Sequence, residues 1–193
     1  MGSGGPSLVC IGNVTIDEVV QPDGAREVSP GGDALYAALA ARAHLARVGW
    51  LAPIGSDMPA AVLDGLAAAG IAPAAPGVRP EPTVRNVVTY RADGSRTWDL
   101  VHGDEHFEAM SVRPDDVGPE ALASDGILVS GMAPRAQLAL VPWLRAHSGA
   151  TLYLDLQEDD IAGREAAWRA VIALCDVFLP SEVEAVALAG RER

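Results

Sequence analysis

The chain contains no lysine: all 14 basic side chains among its 193 residues are arginines. A Walker-type phosphate loop needs its lysine at the phosphates, and a Schiff-base enzyme needs a primary amine. Both classes are excluded for this chain. Cysteine is scarce as well. Cys10 and Cys175 each sit in an apolar, strand-like run, without a Cys-x-x-Cys pair or a histidine-rich neighbour, so they read as buried thiols of a reducing compartment. No apolar run approaches the ~18 residues that read as a membrane span. Met1 to Ser7 carries no basic region of the kind that opens a signal peptide, and the expectation is a cytoplasmic protein without a membrane partner. Positive charge is outweighed: the net charge is −12. Such a surface repels phosphate backbones and argues against nucleic acid as a partner.

Against those absences stands an ordinary globular composition, 49% hydrophobic and 21% charged, enough to bury a core. Leu8 to Gly12 is a continuous apolar run closed by glycine, a buried-strand pattern. Asp33 to Arg47 has helical spacing, with Asp33 placed to act as N-cap. Val48 to Ile54 reads as a strand and Met58 to Ala69 as a helix ending at Gly70. After a loop rich in proline, alanine and glycine, Thr83–Arg91 and Ser95–Val101 flank Ala92-Asp93-Gly94, a hairpin signal. The alternation then resumes with strands at Gly126–Ser130, Thr151–Leu156 and Val177–Leu179. Helices at Arg135–His147, Arg164–Leu174 and Glu182–Ala189 follow them. The expected fold is α/β: a Rossmann-like, mostly parallel sheet flanked by helices, with a small β-hairpin standing off it. Residues 1–193 read as one such domain, with the segment at about 83–101 inserted.

Ligands of open α/β sheets bind at the carboxyl ends of the strands. The residues following the predicted strands are therefore the ones to watch: Gly12-Asn13-Val14-Thr15-Ile16-Asp17, Gly55-Ser56-Asp57, Asp155 with Gln157, and Ser181-Glu182-Val183-Glu184. Carboxylates there suit a polyhydroxy ligand, because each accepts several hydroxyl hydrogen bonds. They also suit hydrated Mg²⁺. Each alone has a plain structural reading as a cap or turn residue. His102-Gly103-Asp104-Glu105-His106 could hold a metal, but Gly103 disfavours a helix that would align the two histidines, and a solvated loop is the expectation.

Four segments, in order, resemble the PfkB, or ribokinase-like, carbohydrate kinases. They are Gly12-Asn13 with Asp17; Ser29-Pro30-Gly31-Gly32-Asp33-Ala34-Leu35-Tyr36-Ala37-Ala38; Val48-Gly49 running to Ile54-Gly55-Ser56-Asp57; and Asp176-Val177-Phe178-Leu179-Pro180-Ser181-Glu182-Val183-Glu184-Ala185. The resemblance covers nearly the whole chain. It implies ATP-dependent transfer of a γ-phosphate to a hydroxyl of a sugar or nucleoside, with ATP and Mg²⁺ as cofactors. Asn13, Asp17, Gly31, Gly32, Asp33 and Tyr36 would form the substrate site. Glu184 would help order Mg²⁺, through water. The hairpin would be the lid that excludes water from phosphoryl transfer, and a homodimer through that lid is an expectation of the same kind.

The chain departs from the family pattern at Tyr36 and Ser181, where asparagine is usual, and at Gln157 and Asp159, where asparagine and arginine are common. The family's catalytic Gly-x-Gly-Asp turn lies later than Arg193, so the expectation is the sugar-binding part of a kinase, inactive as this chain alone. Two alternatives stay open. Gly31-Gly32-Asp33-Ala34 locally resembles that catalytic turn and would make Asp33 the base. The chain could also be a non-catalytic sugar or nucleoside binding module, or a degenerate kinase relic.

Overall fold

The computed structural model describes residues 6–74, 77–157 and 161–190. Of the residues singled out above, Asp159 lies outside them, as does most of the Met1–Ser7 stretch. The central sheet is built from β1 (Leu8–Ile11), β4 (Val48–Leu51), β6 (Ile71–Pro73), β10 (Gly126–Val129), β11 (Thr151–Leu154) and β12 (Val177–Phe178). Its order is β12-β11-β10-β1-β4-β6, and every pairing is parallel. Parallel strands need crossover connections, and here these carry helices. They are α1 (Asp33–Arg42), α2 (Ala60–Ala68), α5 (Pro134–His147) and α6 (Glu165–Ile172), and a further helix, α7 (Glu182–Ala189), follows β12.

Alternation along β1 divides the core into two layers. Val9 and Ile11 face a layer with Leu140, Leu144, Trp168 and Val171 from α5 and α6. Cys10 faces the other, with Trp50, Ile71, Leu35 and Leu66. The helices thus lie on both faces of the sheet, and the expected α/β architecture is borne out. Ile71–Pro73 is an additional strand at the sheet edge, where a proline is tolerated because an edge strand has amide groups the ladder does not need.

A second sheet stands apart, in the order β3 (Arg26–Gly31), β2 (Thr15–Val20), β8 (Arg85–Tyr90), β9 (Arg96–Leu100). The expected hairpin is its β8 (Arg85–Tyr90) and β9 (Arg96–Leu100), paired antiparallel. Gly94 at φ 83° and the Asp93 side chain, which accepts from the Ser95 amide at 2.9 Å, form the turn. The other half was not foreseen. The stretch beginning at Thr15, read from sequence as strand-end loop, is β2 (Thr15–Val20). The Ser-Pro-Gly stretch lies at the end of β3 (Arg26–Gly31). β2 pairs antiparallel with β3 and parallel with β8. Both strands mix charged and apolar residues, which hides a strand period from a sequence reading.

Two short pieces complete the upper edge: β5 (Ile54–Gly55), paired with β7 (Val78–Arg79), and α3 (Gly103–Ala109), which follows β9. One-turn α4 (Pro119–Leu122) precedes β10. Cys10 is fully buried, and burial pushes its thiol up to about 12. Cys175 lies just after α6 rather than in a strand; burial pushes its thiol up to about 11. Both are free, inert thiols.

Candidate functional site

The carboxyl end of β1 hands the chain directly to β2, and α1 returns beneath the end of β3. This brings together the Asn13–Asp17 and Gly31–Asp33 segments, which are 14 or more positions apart in sequence. Gly32 makes the approach possible. Its φ is 97°, and a Cβ there would sit 2.3 Å from the Asn13 carbonyl oxygen, so only glycine fits. That same carbonyl accepts from the Ala34 amide at 3.1 Å. Gly32, not Asp33, occupies the N-cap position. Asp33 is the first helical residue, and no side chain caps the helix. The expected capping role for Asp33 is therefore corrected, and its carboxylate is left for other work.

Asp17 lies against Gly31. A Cβ on Gly31 would sit 1.9 Å from Asp17 Oδ2 and 2.9 Å from Thr15 Oγ1, so side-chain oxygens occupy the space that any larger residue would claim. Asn86 on β8 donates from Nδ2 to Asp17 Oδ1 at 2.8 Å. Asn13 donates from Nδ2 to the Gly131 carbonyl at 3.1 Å, tying β2's start to the end of β10. Asn13, Thr15 and Asn86 are 5%, 3% and 2% exposed, and the Asn13 Oδ1, Thr15 Oγ1 and Asn86 Oδ1 atoms have no hydrogen-bond partner. A run of unpartnered buried oxygens is unusual in an ordinary core. Tyr36 is different: it is 58% exposed, and its hydroxyl donates to the Pro30 carbonyl at 3.1 Å.

Asp33 extends toward the end of β10, where a Cβ on Gly131 would sit 2.7 Å from its Oδ2. It stays open to solvent on one side. The protein on its other sides pushes its carboxyl above the usual range, and the carboxylates of Asp17 and Glu184 add to this. Asp155, just past β11, is pushed up to about 6 by burial and then by Asp33 and Glu184. The charges acting on these two groups are all carboxylates. Glu184 is 5% exposed and fills a capping box on α7. Its Oε2 accepts from the Ser181 amide at 2.8 Å, and Ser181 Oγ accepts from the Glu184 amide. The serine at the family's asparagine position thus does a cap's work, which either residue can do. Gln137, fully buried on α5, donates to the carbonyls of Asp155 (2.6 Å) and Ser130 (3.2 Å), bracing the ends of β10 and β11.

Sequence reasoning missed Asn86 and Gln137 as parts of this site, and held Thr15 only as a member of the Gly12–Asp17 segment. Asn86 sits near the start of the first hairpin strand, and only the pairing of β8 with β2 brings it to Asp17. The loop expected at His102–His106 is also corrected. Gly103, at φ 74°, opens α3 instead of preventing it, and the two imidazole rings meet edge-on with centroids 4.8 Å apart. Burial, and next the neighbouring His102, lowers the pKa of His106. Among the described residues no group of three or more histidine, cysteine or carboxylate side chains could hold a metal ion. No helix among them is long and apolar enough to cross a membrane.

With this geometry in place, comparison with known proteins is informative. No family model matches the chain. A cytidine kinase of Thermococcus kodakarensis is 27% identical over 189 residues, covering 96% of this chain and 65% of that protein. Solved structures with the same arrangement include the ribokinase of Giardia lamblia (TM-score 0.79, 19% identity), which this chain covers to 61% with 97% of its own length. The adenosine kinase of Sinorhizobium meliloti has TM-score 0.76 and 17% identity, with 97% of this chain and 68% of that one covered. A Burkholderia thailandensis nucleoside kinase, solved with inosine, has TM-score 0.71 and 13% identity, with 95% and 63% covered. The fold is the ribokinase-like fold, and the resemblance carried by the Gly-Gly and Gly-x-Asp segments is borne out. The proteins it is similar to are sugar and nucleoside kinases, and the chain spans about two thirds of their length.

Proposed function

We propose that this chain is the substrate-binding part of an ATP-dependent kinase that phosphorylates a hydroxyl of a neutral sugar or nucleoside. The observation that carries this is the Asp17 carboxylate, fixed by Asn86 against the Gly31 backbone just ahead of α1, with its charge acting on Asp33. An acceptor-only group held over bare backbone is suited to a ligand that brings hydroxyl donors. The surrounding carboxylates repel sugar acids and sugar phosphates and accept neutral polyols. The cytidine kinase match supports a nucleoside as one such ligand.

Mg²⁺ fits this donor set in a restricted way. The raised carboxyls of Asp155 and Asp33 mark crowded negative charge that a cation would relieve. The geometry offers no inner-sphere group of three ligands among the described residues. Glu184 and Asp155 would hold a hydrated ion through its waters, as Mg²⁺ prefers. When bound with ATP, the ion would neutralise phosphate charge. The chain's own residues grip and orient the hydroxyl. A homodimer through the second sheet, whose Val28 and Trp98 are 65% and 47% exposed, belongs to the same proposal.

Calorimetric titration of the chain with cytidine, adenosine, inosine and neutral pentoses and hexoses tests this reading. At least one should bind, and Asp17→Ala should weaken it by about 1–3 kcal/mol, the range for a hydrogen bond to a charged group. Unchanged affinity for every binder would remove Asp17 from the site. Phosphoryl transfer needs charge neutralisation as well as a base; the charges acting on Asp33 and Asp155 are all negative, which leaves neutralisation there to the ion alone. We therefore expect the chain alone to bind without turnover at the ~1–100 s⁻¹ usual for kinases. A coupled ATP-consumption assay reads this directly, and turnover in that range would make Asp33 the base.

A further inference from the structure

Asp17 and Asn86 face each other across β2 and β8 in register, β2 following the first main-sheet strand and β8 being the first strand of the inserted hairpin. Asn86 is 2% exposed, and its Nδ2 donates to Asp17 Oδ1 at 2.8 Å. Its Oδ1 is buried with no partner. The assignment of the amide is fixed by chemistry, because a carboxylate only accepts and so must face the nitrogen. A buried amide that gives its donor away and leaves its acceptor empty is a poor choice for stability. The next inward residue on the same strand face, Val88, is apolar and 6% exposed, which shows what packing alone would select there.

The choice makes sense if the carboxylate is the group being served. An arginine at position 86 would form an ion pair and cancel the charge that a hydroxyl donor seeks. An amide fixes one oxygen and leaves the charge in place. It also leaves Oδ2 lying over Gly31, where no side chain intervenes. We propose that Asn86 is the positioning residue for Asp17: it holds the carboxylate against the Gly31 backbone so that a neutral, hydroxyl-bearing ligand meets a fixed acceptor. The inference rests on the reading of Asp17 as the acceptor of a substrate hydroxyl.

The test is a double-mutant cycle on the full chain, with cytidine and D-ribose as probes and thermal unfolding followed in parallel. Asn86→Leu keeps the branched shape, at some added volume, and removes both the donor and the orphaned oxygen. It should leave the melting temperature unchanged or raised, while weakening the binding probe about tenfold, the loss expected for one hydrogen bond to a charge. In the Asp17→Ala background, Asn86→Leu should change affinity less than about twofold, because coupled residues are not additive. Asn86→Ala, smaller and without a new contact, should give the same binding pattern and serves if the leucine does not fit. Equal losses in both backgrounds would overturn the inference, as would a stability loss with affinity unchanged; either would make Asn86 a packing residue and leave the reading of Asp17 standing. A wild-type chain that binds no sugar or nucleoside would fail before any variant is made and would take the underlying reading with it.

Discussion

The two sheets differ in what their strands are for. β1, β4, β10 and β11 lie between helices on both faces, and their sequences are short apolar runs such as Leu8-Val9-Cys10-Ile11 and Gly126-Ile127-Leu128-Val129. The second sheet is half exposed: β2 carries Asp17 and Glu18, β9 carries Trp98 and Asp99, and β3 is exposed along most of its length. Burial is concentrated in the first sheet and its helices. The Asp17, Thr15 and Asn86 side chains of the proposed site hang from the second. A rigid α/β layer thus presents a glycine turn and helix N-terminus, and a thinner sheet carries the acceptor that meets them.

The largest expected effect breaks the comparison at its strongest point. Trp168 on α6 is fully buried in the main core, whereas Trp98 on β9 is 47% exposed. Trp168→Ala should cost about 3–5 kcal/mol, and Trp98→Ala about 0.5 kcal/mol or less, as for surface substitutions generally. Urea unfolding of the two variants measures both, and equal losses would show that the second sheet is as much a part of the cooperative core as the first.

The same contrast explains what could be read in the sequence. Continuous apolar runs bounded by glycine gave away all the main-sheet strands but the short edge strand at Ile71–Pro73, which a loop rich in proline and alanine obscures. In the second sheet only β8 and β9 were legible, because Asp93-Gly94 announces a hairpin. β2 and β3 follow directly from β1 and lead directly into α1, and their charges and Pro30 read as loop. Asp17 and the glycine pair were legible through resemblance to a family pattern. Asn86 was not, since a lone asparagine in a strand has no signal until its pairing partner is known. Asp155 was noticed as a strand-end carboxylate, but its crowding with Asp33 and Glu184 depends on three elements meeting.

That crowding yields an intermediate effect. The carboxyl of Asp155 is raised to about 6 by burial and then by Asp33 and Glu184, so ionising it opposes folding. Its contribution is most favourable below the unfolded value near 4 and is lost as pH rises through about 6. Asp155→Asn should therefore stabilise the chain at pH 8 by about 1–2 kcal/mol after allowance for solvent screening. The gain should vanish below about pH 4. Chemical denaturation across pH 4–8 follows it, and a destabilised variant at pH 8 would mean that the carboxylates are relieved by a partner other than solvent.

The smallest effect sharpens the comparison at the joint between the sheets. Asp57 closes the Gly-x-Asp segment, and its Oδ1 accepts from the Thr83 amide at 2.7 Å. Its Oδ2 accepts from Arg85 Nη2 at 2.9 Å, at the start of β8. Thr83 Oγ1 in turn accepts from the Gly55 amide at 2.9 Å. The chain entering the second sheet is thus fastened to the end of β5. Desolvation works against the charge, but the Thr83 and Arg85 bonds outweigh it and hold the carboxyl down at about 2. A depressed carboxyl contributes stability that is present above the unfolded value near 4 and is lost as pH falls through about 2. The Asp57 side chain is 32% exposed, so its global contribution should stay below about 1 kcal/mol. Its local effect should be easier to see. In Asp57→Asn at pH 7, amide exchange should quicken at Thr83 and along Arg85–Tyr90 while Leu152 and Leu154 in β11 keep wild-type protection. Acidification of the wild type from pH 4 toward pH 2 should reproduce the pattern. Uniform loss of protection in both sheets would show that they open as one unit and that this clamp is not a separable joint.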